Sequence, residues 1–376
     1  MQNLIVITKE PVHRLPPLIS LLASLSELGH NVTLLTSSCT RENLEYFKCM
    51  GVNVIELFPQ FDARRKSNSI NKLKTWLIFR RNVRGYLADH KKEIIWVAGG
   101  DTMLALGSGL DKMPYILQLF ELYDTNPLYR IMLEKYARRA VCVIVPEECR
   151  AAIFRVWYGL EHAPFVIFNK THYLKPFDSA ALGTRNMDLL EQIKEEKLVL
   201  YQARMVRMDL LSIARAIDCI DGYVLGVMGD IRDKVMFQKL KSECKKLVHF
   251  DYIPAPDHLC VTSRSHIGVL LYNYESLNNI FCAPNKIWEY SQFAIPVISN
   301  RLPMIAQQLE QHRMGESFEW TDVDEICRAI KRIDSDYEGY KVGAKQFYNS
   351  FNMTARVSEI LESFNKRKES YKCWIK

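Results

Sequence analysis

The chain has 376 residues, 48% of them hydrophobic and 25% charged, the balance of a folded globular protein with a sizeable core. That length exceeds one ordinary domain and fits two of roughly 150–200 residues, and no apolar run reaches the ~18 residues of a membrane span. Its ten cysteines stand singly with no Cys-x-x-Cys pair, so they read as reduced thiols of a cytosolic protein, not as a disulfide framework or zinc site.

The opening residues, Met-Gln-Asn-Leu-Ile-Val-Ile-Thr, read as a buried strand and not as a signal peptide. The pattern then predicts a strand at 4–8, a helix at 17–28 stopped by Gly29 and a strand at 31–36. Further strands are predicted at 52–58, 94–98, 115–120, 141–145 and 166–169. Strands alternating with helices imply a doubly wound parallel sheet, with ligands at the carboxyl ends of its strands. A polar stretch at 173–195 reads as a linker leading into a helix. The pattern restarts with strands at 198–202, 223–228, 248–250, 267–272 and 296–299, and a helical stretch closes the chain from about 335 to 368. The organisation expected is therefore an α/β protein of two Rossmann-like domains, 1–172 and 196–350, facing across a cleft, with 351–376 as a closing helix.

The net charge of +7 is uneven. Residues 62–92 hold ten Lys/Arg against two Asp, a net of +8, so the remaining chain sums to −1. Trp76, Leu77, Ile78 and Phe79 interrupt the charges. Leu73, Trp76, Leu77 and Phe79 or Arg80 predict an apolar flank beside cationic rows, as in helices that lie on anionic membranes. Lys366, Arg367, Lys368, Lys372, Trp374 and Lys376 repeat the signal at the end of the chain. The plainer account is a helix packing Trp76 and Phe79 inward with a solvated basic face. No recognition module accompanies the charge, so nucleic acid is not expected.

One stretch organises the second half: Ala283-Pro284-Asn285-Lys286-Ile287-Trp288-Glu289-Tyr290, followed by Pro296-Val297-Ile298. Pro284 suits a first helical turn, where a missing N–H costs nothing. Ile287, Tyr290 and Ser291 share a face, and Pro296 hands the chain to a strand. The free N–H groups of the first turn, with Lys286 beside them, make an anion site. Glu289 lies one turn on from Asn285, on the side of Lys286. Cation and amides suit a diphosphate; the carboxylate suits ribose hydroxyls.

This stretch resembles the donor-binding segment of GT-B glycosyltransferases, in the large retaining group that includes sucrose and glycogen synthases and many bacterial cell-surface sugar transferases. The resemblance implies that Arg204 and Arg207 stand where the relatives carry Arg and Lys on the donor diphosphate, although Ala203 and Met208 replace the usual glycines. It implies backbone contact to the nucleotide at Gly229, contact to the base near Tyr252, and ribose binding by Glu289. Eight residues before Glu289 stands Phe281, where relatives have a first carboxylate. Asn279 is the substitute candidate for a sugar or phosphate contact, with Glu275 near it. In the first half, Glu121 ends a strand close to where retaining relatives place a histidine. His13 lies where inverting enzymes hold a general base, and Asp101 and Asp124 are candidates for acceptor hydroxyls. Asp334-Ser335-Asp336 matches the Asp-x-Asp metal motif of another transferase fold but reads as a helix cap and turn. No metal or cofactor is expected.

The function these residues imply is transfer of a sugar from a nucleotide diphosphate donor, a UDP-sugar first, to a hydroxyl of a lipid-linked or polysaccharide acceptor. Anomeric configuration would be retained, on the inner face of a membrane. A catalytically silent subunit and a sugar-nucleotide epimerase are the alternatives on the same architecture. A nicotinamide dehydrogenase is disfavoured, since no Gly-x-Gly-x-x-Gly follows an early strand.

Overall fold

A computed structural model describes residues 1–58, 69–111, 113–173, 176–206 and 208–374. The chain divides into two compact units, Met1–Leu174 with Asn352–Lys376, and Lys175–Phe351.

The first unit is built on seven strands: β1 (Asn3–Ile7), β2 (Asn31–Thr36), β3 (Val52–Glu56), β4 (Ile94–Ala98), β5 (Tyr115–Gln118), β6 (Cys142–Val145) and β7 (Phe165–Val166). All pair in parallel in the order β3-β2-β1-β4-β5-β6-β7. Parallel sheets are covered on both faces, which is why β1 and β4 are nearly continuous apolar runs. The covering helices are α1 (Pro16–Glu27), α2 (Arg41–Cys49), α3 (Ser69–Ala88), α4 (Gly100–Leu106), α5 (Pro127–Arg139) and α6 (Glu148–Tyr158).

The second unit repeats the plan. Helix α7 (Thr184–Gln192) leads into β8 (Lys197–Val206), α8 (Leu211–Asp218), β9 (Tyr223–Ile231), α9 (Lys234–Glu243), β10 (Leu247–Phe250), α10 (Leu259–Thr262) and β11 (Ile267–Leu270). Then come α11 (Leu277–Ile280), α12 (Asn285–Gln292), β12 (Val297–Asn300), α13 (Pro303–Gln311), β13 (Gly315–Phe318), α14 (Val323–Ser335) and α15 (Tyr337–Ser350). The order β10-β9-β8-β11-β12-β13 is again all parallel. Both sheets reverse direction beside their first strand, between β1 and β4 and between β8 and β11. Such a reversal opens a crevice at the carboxyl edge, where α/β sheets bind ligands. The last helix, α16 (Met353–Trp374), belongs to the first unit and packs on α1 and β6.

Several expectations are corrected. Residues 173–195 were expected to be a linker leading into a helix; α7 is that helix, but from Lys175 on the stretch belongs to the second unit and does not stand between the two. Strand β13 was missed: Gly-Glu-Ser-Phe has no apolar run, and its place is set by pairing with β12, where a Cβ on Gly315 would meet the Val297 carbonyl oxygen at 1.9 Å. The single closing helix is two, because Asn352 caps a new one by accepting from the Ala355 N–H at 3.0 Å. Among the described residues no helix is long and apolar enough to cross a membrane.

Candidate functional site

Helix α12 joins the carboxyl edge of β11 to the amino edge of β12, so its first turn lies at the ligand-binding edge. Two contacts hold it on the sheet. The Tyr290 ring covers Gly268 of β11, where a Cβ would come within 2.5 Å of the ring, and its hydroxyl donates to the Leu200 carbonyl of β8 at 2.8 Å. On the other side Trp288 stacks on Phe347 of α15, centroids 4.4 Å apart. The expected one-sided helix is therefore corrected: Ile287, Trp288, Glu289, Tyr290 and Ser291 are all buried. Pro284 is the N-cap residue and brings no side-chain cap, which leaves the first-turn N–H groups to other acceptors.

Glu289 is 7% exposed. Its Oε2 accepts from Gln202 Nε2 at 2.6 Å and lies 3.4 Å from His258 Nε2. Thr262 donates to Gln202 Oε1 at 2.7 Å, which fixes the orientation of that amide. A buried carboxylate is costly unless hydrogen-bonded, and this chain of donors meets the requirement. Lys286, half-buried on the same helix, has its pKa lowered by burial, while the carboxylate of Glu289 opposes the shift. Gln202, Thr262 and His258 were missed by the sequence reading. The available signal was Gln202 itself, a polar residue ending the apolar run Leu-Val-Leu-Tyr.

The remaining donor-side candidates divide. Arg204 is exposed within β8, at a bulge where the β8–β9 register shifts between Gln202 and Met205. Gly229 lies inside β9 and not at its end. Its φ is +133°, and a Cβ there would meet the Ala203 carbonyl oxygen at 1.8 Å. The glycine is thus required by the bulge of the neighbouring strand. Tyr252 is exposed, and so not a core residue. Asn279 donates to Asn273, which in turn donates to Glu275 at 2.7 Å, so the three form one polar loop beside half-buried Phe281. Arg207 lies outside the described residues.

In the first unit, His13 sits exposed on a 3-10 turn (Val12–Arg14) after β1, Asp101 in the first turn of α4 after β4, and Glu121 and Asp124 on the loop after β5. Adjacent strands thus bring these loops to one edge. Burial, then the charges of Asp101 and Glu121, raise the pKa of the Tyr123 hydroxyl. Tyr129 hydrogen-bonds Asp101 and is raised by burial first and by that carboxylate second. Asp101 and Glu121 therefore share one tyrosine-lined patch.

The Asp-x-Asp segment falls at the junction of α14 and α15 with Asp336 as the cap residue, the position the helix-cap reading expects. Asp334 pairs with Lys197 and lies 3.3 Å from His266 Nε2, while Asp336 pairs with Arg313 and its side chain makes no cap hydrogen bond. Among the described residues no group of three or more His, Cys, Asp or Glu is placed to hold a metal ion.

No family model and no curated protein sequence matches the chain. Solved structures do match over nearly its whole length. Sucrose-phosphate synthase of Thermosynechococcus elongatus aligns with a TM-score of 0.68 at 15% identity, over 98% of this chain and 100% of that one. HepE of Anabaena, solved with UDP-glucose, aligns at 0.69 and 12%, over 97% and 100%. A Listeria monocytogenes protein assigned as a UDP-N-acetylglucosamine 2-epimerase aligns at 0.58 and 13%, over 96% and 94%. The chain has the GT-B fold of these proteins.

Proposed function

We propose that the protein is a glycosyltransferase that moves a sugar from a nucleotide diphosphate, a UDP-sugar first, to a hydroxyl of a lipid-linked or polysaccharide acceptor. The observation that carries this reading is the Gln202-held Glu289 one turn below an uncapped helix start that also bears Lys286. The first-turn amides, Lys286 and Arg204 bind the diphosphate, and the charge that grows on it as the sugar bond breaks is stabilised by fixed donors. Glu289 takes the ribose hydroxyls. In the first unit Asp101 and Asp124 bind the acceptor, and Glu121 and His13 stand beside the reacting hydroxyl. HepE was solved with UDP and with UDP-glucose, which supports UDP as the nucleotide. Retention of configuration and a role in cell-surface glycan synthesis belong to the same reading.

A thermal-shift series against UDP, GDP, dTDP and their sugars tests it. A ligand at a hundred times its Kd stabilises the folded form by about 2.7 kcal/mol, so a UDP-sugar should raise Tm, and Glu289→Ala should abolish the rise. No shift with any nucleotide, or one undiminished in Glu289→Ala, overturns the reading. The Listeria likeness motivates a second reading, a sugar-nucleotide epimerase, which interconversion of free donor without acceptor would support.

A further inference from the structure

The two helices that flank the acceptor-side loops carry exposed apolar side chains at the same place. On α3, Phe79, Val83 and Leu87 face the core and Arg80 donates to the Ala105 carbonyl of α4 at 2.9 Å. The apolar flank expected to include Phe79 or Arg80 is therefore corrected: Leu77 and Ile78 form it, 53% and 50% exposed, with Lys74 and Arg81 on the same outer side. On α5, Leu128 and Ile131 are 66% and 62% exposed, with Met132 beside them. The two helices meet where the rings of Trp76 and Tyr129 lie 6.5 Å apart. The two exposed apolar groups thus stand on neighbouring helices of the first unit. Large apolar side chains gathered this way mark an interaction surface.

We propose that this face docks the first unit on an anionic lipid bilayer, with Leu77, Ile78, Leu128 and Ile131 entering the interface and Lys74 and Arg81 meeting lipid phosphates. Charge selects this occupant. Helix α3 contains no Asp or Glu, and Lys74 and Arg81 stand exposed beside Leu77 and Ile78; apolar side chains rimmed by cations are the make-up of interfacial helices. Half of the face, on α5, lies outside the basic segment 62–92. Its position also carries a consequence, which rests on the transferase reading: Tyr129 bonds Asp101, so the bilayer adjoins the acceptor loops and presents them with a lipid-anchored hydroxyl. The C-terminal cations contribute less than their number suggests, since Arg367 lies over Phe165 and Lys368 donates to Asn365 at 2.6 Å.

Flotation with vesicles tests the proposal without reference to activity. The full chain should float with phosphatidylcholine–phosphatidylglycerol vesicles and not with phosphatidylcholine alone. Leu128→Ser with Ile131→Ser should weaken that binding about tenfold or more, as should Lys74→Glu with Arg81→Glu. Val235→Ser, at another exposed apolar residue on the second unit, should change nothing. These side chains are exposed, so Tm should stay at the wild-type value and exclude misfolding. Absence of flotation, flotation unaffected by the α5 pair, or a dimer in solution that the α5 pair dissolves would each overturn the proposal. UDP-induced stabilisation, measured on the same samples, fails only if the transferase reading fails.

Discussion

Gln202 Nε2 donates to Glu289 Oε2 at 2.6 Å, linking the carboxyl end of the central strand β8 to helix α12. Hydrogen bonds to charged groups contribute about 1.5–3 kcal/mol, and here the bond also aims the carboxylate. Gln202→Leu should therefore lower unfolding stability by about that amount and weaken UDP binding as well. Gln202→Glu should be worse, because two carboxylates would face one another. Urea unfolding and calorimetric UDP titration of both variants check the pair of effects; loss of stability with UDP affinity unchanged would remove Glu289 from the donor site.

Lys286 presents the opposite balance. Burial disfavours its charge in the folded protein without ligand, as for any cation drawn out of water. Lys286→Met should thus raise Tm without ligand and weaken UDP binding by roughly ten- to a hundredfold, the scale of one charge-assisted hydrogen bond. Scanning fluorimetry with and without UDP reads both effects.

Much of this was legible in the sequence because parallel strands buried on both faces announce themselves as apolar runs, and β2 and β4 fall at the predicted residues. What was not legible came from across the fold. The strand was expected to end at Gln202, but pairing with β9 continues through a bulge to Val206. Glu289 was read as a helix-face carboxylate, while its partners Gln202, Thr262 and His258 lie on β8 and around α10, segments whose proximity only the sheet order β9-β8-β11 creates. Leu128 and Ile131 gave no signal as a surface because neither lies in a charge-rich segment.

Arg204 is exposed and enters no ion pair among the described residues. Arg204→Ala should leave stability within about 0.5 kcal/mol of wild type. If the guanidinium stabilises the departing diphosphate, turnover should fall about 10²-fold or more. Steady-state transfer kinetics beside urea unfolding separate the two quantities.

Gly229 tests the bulge itself. A methyl group would meet the Ala203 carbonyl oxygen at 1.8 Å, on a backbone with φ of +133°. Gly229→Ala should cost about 3 kcal/mol or more and weaken UDP binding only in so far as Arg204 is displaced. A variant with wild-type urea midpoint would show that the strand relaxes freely.

Acid stability should report the Asp334 cluster. Burial pushes the Asp334 carboxyl up, but the hydrogen bond and charge of Lys197 and the contact with His266 outweigh it and hold the group below its ordinary value of 3.8. Its contribution is therefore present above pH 3.8 and lost as pH falls towards the folded value. The His266 ring, stacked on Tyr337 with centroids 3.9 Å apart, is lowered by burial, with the bond to Asp334 opposing. A depressed histidine disfavours the cation in the folded state, so stability should already decline as pH drops below the ordinary 6.5. The urea midpoint should accordingly fall in two limbs: His266→Phe, which keeps the stack, flattens the upper one, and Asp334→Asn flattens the lower. A single limb unaffected by either substitution would show that the acid transition arises elsewhere.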